Sequence, residues 1–251
     1  MSLVQSQLTA LFKAEVKLIG RNSAVAATAT IFPIGMAVAM VFFGKQSLGS
    51  LGWALPVALQ LLLMFGMTVY ITTTLALTAR REDLYLKRLR SGEAADSTIL
   101  VGVSSPIIVL GVLQCLVVVG VVWGFGPAAP TNPLLLLVAI LLGVAMCATL
   151  GFATTGMVSS TQQADMAAMP FFLLLLGTGV WASTNGADGP NMVQTATPGG
   201  AVVDLARISY DATASFTAQL GEALPALAAL AVWTAIGAVA AKRYFRWEKR
   251  V

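Results

Sequence analysis

Apolar residues run along this chain in long uncharged blocks, separated by short charged ones. No charged side chain falls between Arg21 and Lys45, between Lys45 and Arg80, between Asp96 and Asp165, or between Asp165 and Asp188. A membrane-crossing helix needs about 20 mostly apolar residues. The four blocks therefore hold one, one, two and one such helices, and a sixth runs from about Leu224 to Ala241. The longest block divides at GFGPAAPTNP, residues 124–133, whose glycines and prolines mark a tight turn. The predicted spans are 23–43, 53–79, 97–123, 133–160, 166–183 and 224–241. Pro33, Pro56, Pro106, Pro170 and Pro225 lie inside or near the ends of these spans. Membrane helices tolerate such kinks because neighbours satisfy the freed backbone groups; a gating hinge is the other reading.

Composition removes the soluble alternative. Hydrophobic residues make up 57% of the chain and charged residues 10%, against about 45–50% and about 25% in soluble domains. A core of 251 residues could not hide that much apolar surface. The basic residues set the expected orientation through the positive-inside rule. Lys13, Lys17 and Arg21, then Arg80, Arg81, Lys87, Arg88 and Arg90, then Lys242, Arg243, Arg246, Lys249 and Arg250 all fall on one side, leaving Lys45 and Arg207 on the other. Both termini are expected in the cytoplasm, in keeping with an even number of crossings. The apolar run after Arg21 is too long for a signal-peptide core, so the first helix is expected to stay.

The N-terminal stretch LVQSQLTALFKAEVKLIGR places Lys13, Lys17 and Arg21 at i, i+4 and i+8, on one helical stripe, with Val4, Leu8, Leu11, Phe12, Val16 and Ile19 on another face. That pattern suits an interfacial helix lying on the membrane surface; a plain extension of the first crossing is the alternative. Cys115 and Cys147 sit deep in predicted spans as small hydrophobes, and the chain has no histidine. No nucleophile–base pair and no metal-ligand cluster is evident, and no nucleic-acid partner is expected. There is no G-x-x-x-x-G-K-[ST] loop, so the chain is not expected to hydrolyse ATP. The predicted spans hold no Asp, Glu, Lys, Arg or His in their middles, which argues against an ion- or proton-driven carrier and leans towards a hydrophobic or amphipathic cargo. Any work this protein performs would draw its energy from a partner.

One stretch breaks the avoidance of charge. ARREDLYLKRLRSGEAAD, residues 79–96, carries Arg80, Arg81, Glu82, Asp83, Lys87, Arg88, Arg90, Glu93 and Asp96. It has good helix formers at most positions, and Leu86 and Leu89 are spaced to form an apolar knob amid charge. The simpler reading is a solvated loop whose cations only follow the topology rule.

The chain resembles the membrane (permease) subunits of ATP-binding-cassette (ABC) exporters of the type-2 permease family. In their signature loop, after the second crossing, an Arg-Glu pair is followed by Gly-Thr-Leu, a basic residue and Leu-Arg. Arg81-Glu82, Leu86 and the Lys87-Arg88-Leu89-Arg90 run match this pattern, while Leu84 and Tyr85 stand where Gly and Thr are usual, and Glu93 where Pro is common. TPGGAVVDLARISYD is similar to the family's Pro-x-x-x-x-x-Asp-x-x-Arg stretch, with Pro198, Asp204 and Arg207 in place.

The resemblance implies an all-α polytopic fold. A single permease domain over 1–251 would comprise an interfacial helix (1–22), transmembrane helices 1–5 (23–183) with a coupling loop at 80–96, a partly re-entrant outer segment (184–222), and the sixth helix with a basic tail (223–251). It further implies two copies of an ABC ATP-binding subunit that carry the ATP and magnesium, a second identical or paralogous permease, and a bacterial cytoplasmic membrane. Arg81, Glu82, Leu86, Arg88, Leu89 and Arg90 would couple to the ATPase, with Leu86 and Leu89 as apolar anchors. Phe171 and Phe172, just after Pro170, would face the cargo pathway, at most one of them lining it because adjacent helical residues point about 100° apart. A channel or carrier, and a membrane immunity or sensor protein without transport, are the rival readings.

Overall fold

The computed structural model describes residues 31, 34–42, 52–90, 95–125 and 129–245. After a helix over 34–42 (α1) come α2 (Ala54–Glu82), the short α3 (Tyr85–Arg90), α4 (Asp96–Phe125), α5 (Pro133–Met157) and α6 (Thr161–Ser183). A segment of short turns then leads through α7 (Met192–Thr195) and α8 (Pro198–Tyr210) to α9 (Phe216–Tyr244). Among the described residues five helices, α2, α4, α5, α6 and α9, are long and apolar enough to cross a membrane. This is a multi-pass membrane protein. Of the six expected crossings, the first (23–43) is described only at 31 and 34–42, and the interfacial helix with Lys13, Lys17 and Arg21 lies outside the described residues.

Caps account for where the boundaries depart from hydropathy. The Ser160 side chain accepts from Gln163 N–H at 3.3 Å, so α6 begins at Thr161 rather than 166. The Ser215 hydroxyl accepts from Ala218 N–H, so α9 begins at Phe216 rather than 224, two polar turns ahead of its apolar run. Val158 turns extended and ends α5 at Met157 rather than 160. The second crossing continues past 79 because Arg81 is buried rather than solvated.

α2 and α5 form the buried centre. Threonines along their contact satisfy themselves within the helices: Thr74 Oγ1 donates to Tyr70 O (2.8 Å), Thr78 Oγ1 to Thr74 O (2.7 Å) and Thr155 Oγ1 to Gly151 O (2.9 Å). The Tyr70 and Thr154 hydroxyls meet at 3.0 Å. These polar groups can therefore sit inside an apolar bundle without an orphaned donor. The middle of α2, Met64–Ile71, widens to π-helical pairing. There Phe65 fills the space beside Gly143 of α5, while the Phe172 ring of α6 lies over Gly66. α5 and α9 run parallel, from Asn132 Nδ2 donating to Gln219 Oε1 at one end to Gly156 against Tyr244 at the other.

The segment between α6 and α9 doubles back against the bundle. α8 packs among α2, α6 and α9, and nearly all its side chains are buried. Its N-terminus crosses α6 backbone to backbone: Gly199 N–H donates to Thr178 Oγ1 (3.1 Å), and a Cβ on Gly199 would lie 2.5 Å from the Gly179 nitrogen. Only glycine fits there.

Candidate functional site

The charged loop is built on a junction of three helices. An α-helix leaves its last four carbonyls without intrahelical partners, and α5 ends beside the end of α2. Arg81, 1% exposed, supplies the missing donors: Nη1 to Thr155 O at 2.8 Å and Nη2 to Val158 O at 2.5 Å. The planar guanidinium suits two carbonyls at once, as a lysine would not. The next residue does the converse. Glu82 Oε2 accepts from Thr161 N–H at 3.3 Å, placing a carboxylate at the positive end of α6. Adjacent residues thus hold both sides of the 158–160 turn.

Beyond Glu82 the chain reverses over Asp83 and Leu84. Asp83 N–H donates to Ala79 O (3.0 Å) and Leu84 N–H to Arg81 O (3.1 Å). Leu84 has φ 57°, in the left-handed region, a geometry that costs a non-glycine residue roughly 1–2 kcal/mol. α3 follows, with the Arg80 guanidinium 5.1 Å above the Tyr85 ring. Leu86 is fully buried and belongs to the bundle core, and Leu89 packs against that core half-buried. Leu86 therefore faces the bundle rather than standing out as an apolar knob, while Leu89 keeps part of its surface exposed. Their spacing of three puts them on one face, but spacing cannot say which way that face looks. Arg88 is exposed and donates to Asp83 O at 2.8 Å; the Arg90 side chain lies outside the described set.

Phe171 and Phe172 both pack towards α2. The Phe171 ring stands edge-on to Tyr70 (centroids 4.8 Å) and tilted against Trp233 of α9 (6.3 Å). Trp233 Nε1–H in turn donates to Ala196 O (3.0 Å), at the turn between α7 and α8. This bond sets the turn beside the middle of α9. Trp233→Phe keeps a ring against Phe171 but removes that hydrogen bond. It should lower stability by about 1 kcal/mol, seen as a small drop in the melting midpoint of the detergent-purified chain, with Trp233→Ala lower still.

At the far end of α8, Pro198 having occupied its first turn under the Thr197 cap, Asp204 and Arg207 form an ion cluster. Asp204 accepts from Arg207 Nη2 (2.9 Å) and Nε (3.2 Å) and from Thr195 Oγ1 (3.3 Å). Burial pushes its carboxyl above the usual carboxylate range, against the opposing pull of Arg207. Arg207 also pairs with Glu222 of α9, tying the folded-back segment to that helix. Sequence reasoning found Asp204 and Arg207 but missed Glu222, whose signal was a lone acid just ahead of an apolar run. It also missed Thr155, Val158 and Thr161, which contribute backbone atoms and carry no side-chain signature. Among the described residues no group of acidic or cysteine side chains could hold a metal ion.

No curated protein matches the chain. A family model does: that of the ABC-2 type transporter, over residues 6–186.

Proposed function

Since the chain belongs to the ABC-2 type transporter family, we propose that it is the permease subunit of an ATP-driven exporter, coupled to its ATPase through residues 81–90. The observation that carries this reading is the Arg81–Glu82 clamp. A loop that merely obeyed the topology rule would have no use for a buried arginine. Here a push on α3 is delivered to the ends of α2, α5 and α6 together, because Arg81 grips the end of α5 and Glu82 the start of α6.

In this reading the basic end of the bundle faces the cytoplasm and the folded-back segment the outside of a bacterial cell membrane. Two ABC ATP-binding subunits bind ATP and magnesium, and this chain pairs with a second permease. The described crossings keep Asp, Glu, Lys and Arg towards their ends, which favours a hydrophobic or amphipathic cargo. Phe171, in the trio with Tyr70 and Trp233, is the pathway candidate at the level where α2, α6 and α9 meet.

The test is co-expression with an ABC ATP-binding subunit from the same organism, followed by purification in mild detergent. Wild type should recover both subunits in equal amount, with ATP hydrolysis raised over the isolated subunit. Glu82→Gln should assemble and melt normally while the stimulated rate falls at least fivefold. Transport by the chain alone in vesicles, or failure of the ATP-binding subunit to co-purify, would overturn the proposal.

A further inference from the structure

The last turn of α9 brings Lys242, Arg243 and Tyr244 to the basic end of the bundle, all three exposed. Beneath Arg243 runs a column of bare apolar side chains: Val239 is 66% exposed, Ile236 49% and Val232 57%. Their spacing of four, three and four residues brings Arg243 within about 20° of Val232, at about 100° per residue. The opposite face of the helix is taken. Gly237 lies against Thr149 and the Leu150 nitrogen of α5, and Gly156 at the end of α5 lies against the Tyr244 carbonyl. α9 therefore cannot roll, and the column and its cations stay outward. From Val232 to Arg243 is about 16 Å at 1.5 Å per residue, close to half of a bilayer core about 30 Å thick.

Among the described residues neither cation meets a carboxylate, and α5, the helix packed on this end, carries no charged residue. The Arg243 guanidinium rests 5.7 Å over the Tyr244 ring, which holds it at the head of the column. The sequence goes on in the same sign: Arg246, Lys249 and Arg250 follow, against one acid, Glu248. We propose that this face of α9 binds an anionic phospholipid, its phosphate on Lys242 and Arg243 and an acyl chain along Val239, Ile236 and Val232. Basic residues at this level attract anionic headgroups, and Tyr244 adds the amphipathic ring common there. The occupant must be negative at one end and apolar over the next three turns of helix. A soluble protein could meet the cations but could not reach Val232 inside the bilayer. The inference stands apart from the exporter reading and needs only that the chain crosses a membrane.

The experiment reads lipid preference at the column itself. Ile236→Cys in a Cys115→Ala, Cys147→Ala background carries bimane, and the chain is reconstituted in vesicles with doxyl-labelled phosphatidylglycerol or phosphatidylcholine. The labelled phosphatidylglycerol should quench at least about threefold more effectively. Adding Lys242→Gln and Arg243→Gln should make the two lipids nearly equal, while Lys242→Arg with Arg243→Lys keeps the preference. Should the glutamine pair not fold, salt asks the same question. Raising sodium chloride from about 50 to about 500 mM should weaken the preference, and a preference indifferent to salt would count against the cations. Arg88→Gln removes an exposed cation from the same end of the bundle and should change nothing, as should millimolar glycerol phosphate. Equal quenching by the two lipids in the starting chain overturns the proposal, and so does an equal loss in Arg88→Gln. Displacement by glycerol phosphate would assign the cations to a free phosphate. No quenching by either lipid would mean that a protein surface, a second permease included, covers the face; either result removes the lipid site.

Discussion

Arg81→Ala should destabilise the detergent-purified chain by about 3 kcal/mol, on two buried carbonyls losing their donors at roughly 1–3 kcal/mol apiece. Thr155 O and Val158 O receive the two ends of one guanidinium inside the bundle, and water cannot replace it without opening the α2–α5 contact. Arg81→Lys should recover only part of the loss, since an ammonium is a point charge that cannot span both acceptors. Arg80→Ala, one residue away, is the control: Arg80 is partly exposed over Tyr85, and such a contact is worth roughly 0.5–1 kcal/mol. Thermal unfolding followed by tryptophan fluorescence would separate the three. An Arg81→Ala chain melting with wild type would mean that the carbonyls find other donors and that the junction is not clamped as described.

Gly199→Ala should be comparably severe at the other end of the bundle. The added methyl would overlap the Leu175 carbonyl oxygen and crowd Thr178 Oγ1 and the Gly179 nitrogen. Two of those three atoms are backbone, so relief requires α8 to lift away from α6. Overpacking typically costs about 1–3 kcal/mol, and an obstacle made mostly of main chain puts this case at the upper end. Lifting α8 would also break the Gly199 N–H to Thr178 bond and strain the Asp204–Arg207–Glu222 cluster. Gly177→Ala is the matched control, because a Cβ there meets nothing within 4 Å. Equal melting midpoints for the two alanine variants would refute the close crossing.

How much of this was legible follows from the physics each feature obeys. Hydropathy gives helices and their approximate extents because the bilayer imposes a length, and the spans seen as α2, α4, α5, α6 and α9 were found that way. The ends moved where a local cap outweighed the apolar run, as Ser160 and Ser215 do. The site was half visible. Arg81 and Glu82 stood out by charge and by resemblance, but a charged residue next to a membrane reads as solvated, and nothing in the letters says that Arg81 turns inward onto carbonyls supplied by residues more than 70 positions away. Leu86 and Leu89 stand out as a pair by their spacing, but spacing does not say that Leu86 faces the core. Leu84 was noted only as a departure from a pattern, because a backbone angle has no signature in composition.

The wide turns of α2 fix the phase of one half of the helix against the other. At about 100° per residue, the extra residue that π-pairing absorbs between Met64 and Ile71 sets where Arg81 points relative to Phe65 above it. Deleting Met67, whose side chain is 45% exposed, would let the stretch relax to a regular helix without turning what lies beyond it, whereas regular pairing with every residue kept would swing that end by about 100°. In that second case Arg81 would face away from the α5 terminus while Phe65 still sat beside Gly143. The same stretch is where α2 could trade π for α pairing in the native chain, so that rotation of its charged end, rather than bending, becomes the easy motion of this helix.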